Sequence, residues 1–216
     1  MKIGDIKLQA LWLMYPEVPA YATGDTLKNF DLSDYSEILA RMTGSMARCL
    51  DVIVERRVLP SVREELFLTD AETGRGIVGN KSGAAYRFDL SKLNNFFDVD
   101  RVIMMSENAY DGEYPYRLEG DKLILLAPDE AASFSLLYHP RVIQLSVWDD
   151  AEELKGIPDE IARLIPYFIV GELYREDEPG EAAEALSWFE GRIAEISQKR
   201  TEKQSKVSSV YRMEGL

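Results

Sequence analysis

Residues 156–196 read GIPDEIARLIPYFIVGELYREDEPGEAAEALSWFEGRIAEI. Pro158 suits a first helical position, and Asp159 and Glu160 suit the positive end of a helix dipole. Ile161, Leu164, Ile165, Phe168, Ile169 and Leu173 then form a broad apolar face. Pro166 lies inside that pattern and predicts a kink. Glu178-Pro179-Gly180 ends the first helix. Ala182, Leu186, Phe189, Ile193 and Ile196 set a second helix over about 181–198. A break this short makes the two helices antiparallel neighbours.

Beyond the second helix the chain continues as QKRTEKQSKVSSVYRMEGL, and the apolar period is lost after Ile196. Lys199, Arg200, Lys203, Lys206 and Arg212 stand there against Glu202 and Glu214. Residues 199–216 read as an extended tail, either a frayed terminus or a segment that orders on a partner. Val207, Val210, Tyr211 and Met213 give it apolar anchors.

Upstream, Ile3, Ile6, Ala10 and Leu13 mark a helix over 3–14, stopped by Pro16 and Pro19. A loop follows over 17–32. A second helical region covers 33–57, with Ser33 as its cap and an expected interruption at Thr43-Gly44-Ser45. From Val62 to Val147 the pattern turns strand-like. Candidate strands are 62–69, 84–89, 101–106, 114–118, 122–126 and 133–140. Glu119-Gly120-Asp121 predicts a hairpin turn, 71–83 an exposed glycine-rich loop, and 94–98 a turn carrying Phe96 and Phe97 inward. The expected fold class is α+β: a helical bundle from 1–60 and 156–198, with an antiparallel β domain, 61–150, inserted in it.

The chain has 216 residues, 25 basic and 38 acidic, for a net charge of −13. That balance argues against broad nucleic-acid binding, which needs a basic surface. Cys49 is the only cysteine, so neither an intramolecular disulfide nor a thiolate zinc cluster can form. The N-terminus carries no secretory pattern, and no apolar run reaches membrane-span length. A soluble protein made in a reducing cytosol is expected.

Candidate chemistry is sparse. His139, the only histidine, reads as a strand-end residue at a sheet rim. Asp149-Asp150, Glu152-Glu153 and Glu176-Asp177-Glu178 lack calcium-loop spacing and read as solvated surface. GRGIVG at 74–79 lacks the lysine–serine pair and following helix of a phosphate loop. No catalytic residue, cofactor site or metal site is expected. Trp188 and Phe189 point about 100° apart on a helix. With Phe189 inward, Trp188 falls at the edge, either as a subunit contact or as packing within one chain.

Three groups of residues carry a resemblance: Ile157-Pro158-Asp159-Glu160-Ile161, Leu173-Tyr174-Arg175-Glu176-Asp177, and Ala182-Ala183-Glu184-Ala185 with Trp188-Phe189. With YRLEGDKLILL and FSLLYHPR upstream, the chain resembles the head-to-tail adaptor, or neck connector, proteins of tailed bacteriophages over about 100–195. The resemblance implies a non-enzymatic virion part, synthesised in the bacterial host cytoplasm. It implies a homo-oligomeric ring, a dodecamer in this family, that joins the portal protein to the next neck or tail protein. DNA would pass through its channel without specific binding. The C-terminal segment would dock on the portal, mapping portal contacts onto Lys199, Arg200, Lys203, Lys206, Val210, Tyr211 and Arg212, and a subunit contact onto Trp188. A tail-terminator or baseplate component is the nearest alternative. A carboxylate-dependent hydrolase is the alternative of a different class.

Overall fold

The computed structural model describes residues 1–18, 33–68, 76–106, 109–129, 132–142 and 150–213, without the side chains of 106, 109–111 and 201–213. The chain divides into two compact units. One comprises Met1–Val58 and Val142–Ser209, the other Leu59–Arg141 with Val210–Leu216.

The first unit is helical. Helix α1 (Ile3–Met14) buries Ile3, Ile6, Ala10 and Leu11. Its first turn is held by a distant segment. The N–H of Ile3 donates to the Glu152 carbonyl and that of Gly4 to the Asp150 carbonyl, each at 2.9 Å. These bonds satisfy two of the amides a helix start leaves without partners. Helix α2 (Ser36–Glu55) follows a 3-10 turn at Ser33–Tyr35 and buries Met42, Met46, Cys49, Leu50 and Ile53. The expected interruption at 43–45 is absent. Ser45 is buried and its hydroxyl accepts from Arg48 Nη2 at 3.1 Å, so a polar residue sits inside the helix without breaking it.

The cassette folds as three helices. α3 (Asp159–Ala162) is a single turn, and α4 (Ile165–Leu173) has Pro166 within its opening turn. The expected kink is therefore a full break: proline opens a helix at no hydrogen-bonding cost and cannot sit inside one without losing a bond. α4 packs against both α1 and α2. α5 (Pro179–Met213) is 35 residues long. It continues through 199–213, where an extended tail was expected. The residues there are mostly good helix formers without Pro or Gly, so a helix already nucleated by α5 propagates along them.

The second unit is two sheets. Its strands are β1 (Val62–Phe67), β2 (Ile77–Val78), β3 (Asn80–Ser82), β4 (Ala85–Asp89), β5 (Phe96–Ser106), β6 (Ala109–Glu113), β7 (Tyr116–Glu119), β8 (Lys122–Leu126) and β9 (Ser133–Pro140). One sheet runs β2-β1-β9-β5-β6, the other β3-β4-β8-β7. All pairings are antiparallel except β1 with β2, which is parallel, so the larger sheet is mixed. Leu66, Phe88, Val102, Leu123, Leu125, Phe134 and Leu136 join both sheets in one buried cluster. The turn between β7 and β8 is Gly120-Asp121, with Gly120 at φ 57°, where a side chain is disfavoured.

These observations overturn the expected fold class. The chain is α+β, but not a helical bundle with an inserted antiparallel domain. Among the described residues nine strands form two sheets, one of them mixed, in a compact unit of their own. The helices include a one-turn piece and a nine-residue piece rather than a set of long antiparallel rods. Three strands escaped the periodicity. β2 and β3 are two and three residues long, too short to show alternation, and occupy what read as a glycine loop. β6 carries Gly112 at φ 95° beside a register shift in β5. β5 also begins at Phe96, so the expected turn at 94–98 is partly strand.

Candidate functional site

The surface with the most chemical character in the helical unit lies where α4 meets α5. Phe189 is fully buried and meets Phe168 edge-on at 5.2 Å between ring centres. One residue earlier, Trp188 is 42% exposed and stacks on Tyr167, ring centres 3.9 Å apart and planes 29° apart. The helical period explains the division: with Phe189 inward, its neighbour turns about 100° toward the edge. The stack leaves one tryptophan face to solvent, and a large rigid amphipathic surface of this kind suits protein contact. Tyr167 is the residue that sequence reasoning missed here. It precedes Phe168 in an unbroken apolar run, and nothing in that run marks it as a stacking partner.

Leading away from this pair, α5 carries the cations. Lys199 is exposed. Arg200 is half-buried, and its Nη2 donates to Glu160 Oε1 at 3.0 Å. Of the expected portal contacts, Arg200 is thus held by its own chain. The side chains of Lys203, Lys206, Val210, Tyr211 and Arg212 lie outside the described residues; their backbone is helical.

The acidic clusters divide. Glu176, Asp177 and Glu178 are exposed in the turn before α5. Asp149 lies outside the described residues. Asp150 serves the fold, since it accepts from Lys7 Nζ at 2.7 Å, and that lysine is buried in α1. The Leu154 N–H also donates to the Met1 carbonyl, and the Met1 ammonium lies 3.5 Å from Asp159 at the start of α3. Glu172 is mostly buried and pairs with Arg48 and Arg175 at 2.9 and 3.0 Å. Its charge, after burial itself, pushes the Cys49 thiol well above its ordinary range, so the group stays protonated and unreactive.

In the β unit, His139 lies in β9 opposite Asp98 of β5. Of the glycine motif, Gly74 is outside the described residues, Gly76 precedes β2, and Gly79 stands between β2 and β3. Among the described residues no group of three or more His, Cys, Asp or Glu side chains is placed to hold a metal ion. Among the same residues, no helix is long and apolar enough to cross a membrane.

No protein-family model matches this chain, and no curated protein matches it.

Proposed function

We propose that this protein is a structural component of a tailed-phage neck: a ring that joins the portal to the tail and extends the DNA channel. The observation that carries the reading is the cassette at 156–196. Its residues resemble the adaptor family, and they fold into α3, α4 and α5 with the Trp188–Tyr167 stack facing out and a cation-bearing helix leading away.

The role is mechanical and non-enzymatic, and the location is the virion. Trp188 serves the contact between subunits. The end of α5, with Tyr211 and Arg212 as anchors, docks on the portal. A net charge of −13 lets DNA slide past without binding, since no counterions are released to hold it. A tail-terminator or baseplate position is the second reading, favoured by the two-sheet unit, which is large for a small adaptor.

The test is to mix the purified chain with the portal protein of its own phage and image the product by electron microscopy. Rings seated on portals are expected. Removing 199–216 is expected to abolish attachment while circular dichroism still shows a folded protein. Equal attachment by the truncated chain would remove the tail from the portal contact. Attachment to assembled tail tubes but not to portals would move the protein to the second reading.

A further inference from the structure

The shared core of the β unit is left open along one strand. In the smaller sheet β7 stands last, and among the described residues β8 is the one strand paired with it. Leu118 of β7 lies directly opposite Leu123 of β8, so both side chains stand on the sheet face that holds the core. Leu123 is fully buried there, whereas Leu118 is 43% exposed. All four residues of β7 are exposed.

The phase of the ladder shows which backbone groups face outward. The two-residue turn at Gly120-Asp121 is closed by the Glu119–Lys122 pair, which bonds across it. Bonding alternates along an antiparallel ladder, so Arg117 also bonds to β8, and the N–H and C=O of Leu118 point to the open edge. Such an edge is a template for another strand, and charged side chains are a common guard against that. The guard here has both signs. Arg117 and Glu119 share the face away from the core and lie 3.3 Å apart. Two residues of opposite charge on one edge repel a parallel copy in register and attract an antiparallel one.

We propose that β7 pairs antiparallel with β7 of a second copy about a two-fold axis, joining the two smaller sheets into one. Facing residues must share a sheet face, and Leu118 must meet a residue whose backbone also points outward. Leu118 against Leu118 meets both conditions. It sets Arg117 opposite Glu119 of the second copy, and the symmetry repeats that pair. A slide of two residues in either direction sets Arg117 against Arg117 or Glu119 against Glu119, which is unfavourable. In the favoured register each Leu118 donates to and accepts from its equivalent. The two exposed leucines then cover each other beside the core. Tyr116 falls opposite Gly120, where nothing lies within 4 Å of the position a Cβ would take. The contact is isologous and closes on itself.

This pairing does not rest on the neck reading. Neighbours in a ring all point the same way, so a two-fold contact is separate from the interface that closes a ring.

The experiment is disulfide trapping on the full chain, without portal. Facing Cα atoms at position 118 would stand about 5.5 Å apart, within disulfide reach. The native Cys49 is buried and stays in place. Leu118→Cys is expected to link into a covalent dimer under mild oxidation, well ahead of Arg87→Cys, an exposed position on the far face of the same sheet. Arg117→Cys and Glu119→Cys alter only exposed side chains and read the register even if position 118 tolerates no change. Each alone is out of reach of its equivalent, and their mixture is expected to link. Adding Arg117→Glu or Glu119→Arg to Leu118→Cys is expected to abolish linkage in either protein alone. Mixing those two is expected to restore it, because every facing pair is again opposite. Circular dichroism should stay unchanged throughout. Three results would overturn the pairing: Leu118→Cys linking no faster than Arg87→Cys, Arg117→Cys and Glu119→Cys linking as readily alone as mixed, or charge reversals that leave linkage intact. Portal attachment is measured separately, so failure here leaves the neck reading standing and failure there leaves the β7 pairing standing.

Discussion

Gly171 of α4 leaves the space in which Leu186 of α5 seats. A Cβ at position 171 would overlap the Leu186 Cγ and stand 3.2 Å from the Ala182 carbonyl oxygen. The two helices therefore approach as closely as they do because one residue has no side chain. Gly171→Ala sets two effects against each other. Alanine improves helix propensity by about 1 kcal/mol. Overpacking a close contact costs about 1–3 kcal/mol, and here part of the obstacle is backbone, which cannot rotate away. The expected net is destabilisation, read as a lower urea midpoint with an unchanged slope. Equal or greater stability would mean that Leu186 moves aside freely.

That relationship also shows what the sequence made legible. Spacing located α1 at Ile3–Met14, placed Phe189 inward and Trp188 outward, and put a turn between β7 and β8. Each follows from a local period or a local turn residue. The fold class did not follow, because the β2 and β3 strands are set by pairing partners rather than by their own pattern: β2 lies parallel to β1, and β3 against β4. Two or three residues cannot announce that. The Lys7–Asp150 pair joins positions 143 apart, and no spacing rule links them. The extended tail was misread for a different reason. Loss of apolar period signals loss of a buried face, and a helix with no buried face still propagates from a well-packed start.

Substitutions at 188 and 189 should separate packing from association. Phe189 is fully buried against Phe168, so Phe189→Ala should cost about 3–5 kcal/mol and lower the urea midpoint sharply. Trp188→Ala removes a half-exposed ring from a stack, a loss of about 1 kcal/mol. Its main effect is expected on self-association by light scattering. A Trp188→Ala protein as unstable as Phe189→Ala would make the tryptophan a core residue and leave nothing for a partner to bind.

The Lys7–Asp150 pair predicts an asymmetry between its two members. Lys7 is buried and Asp150 is largely exposed. Asp150→Ala strips the lysine of its partner and should destabilise by about 1–3 kcal/mol, the range for a buried charged group losing its hydrogen bond. Lys7→Met replaces the buried cation with a side chain of similar volume and should be close to neutral. Urea unfolding of both variants gives the comparison. The carboxylate-hydrolase alternative expects instead that Asp150→Ala leaves stability unchanged and removes an activity.

Acid should act on the β unit through Asp89. The Ser91 hydroxyl, at 2.6 Å, and then the Ser91 N–H hold the Asp89 carboxyl below its ordinary 3.8. The folded state therefore releases this proton more readily than the unfolded chain. Its contribution is present above 3.8 and lost as pH falls through the lower folded value. Asp89→Asn should flatten that part of the acid unfolding curve. An identical curve would show that the Ser91 contacts do not persist in solution.

Alkali should act on the helical unit through Cys49. Burial, then the charge of Glu172, raises this thiol well above its ordinary 9.0. Above that pH the unfolded chain loses the thiol proton while the folded chain keeps it. Stability is thus full below 9.0 and is lost as pH rises toward the folded value, at no more than about 1.4 kcal/mol per pH unit for one group. Partial burial also raises the phenol of Tyr174, whose hydroxyl donates to the Met14 carbonyl at 2.8 Å, and this adds to the fall above its ordinary 10.0. Urea unfolding in reductant from about pH 7 to about pH 10 should give a plateau and then a decline. Cys49→Ala should be less stable at every pH, because it leaves a small cavity, yet show a shallower decline between 9.0 and 10.0. The slope is the informative quantity, since a cavity shifts the whole curve and only the titrating thiol bends it. Parallel curves for the two proteins would mean that the thiol ionises in the folded state as readily as in the unfolded one.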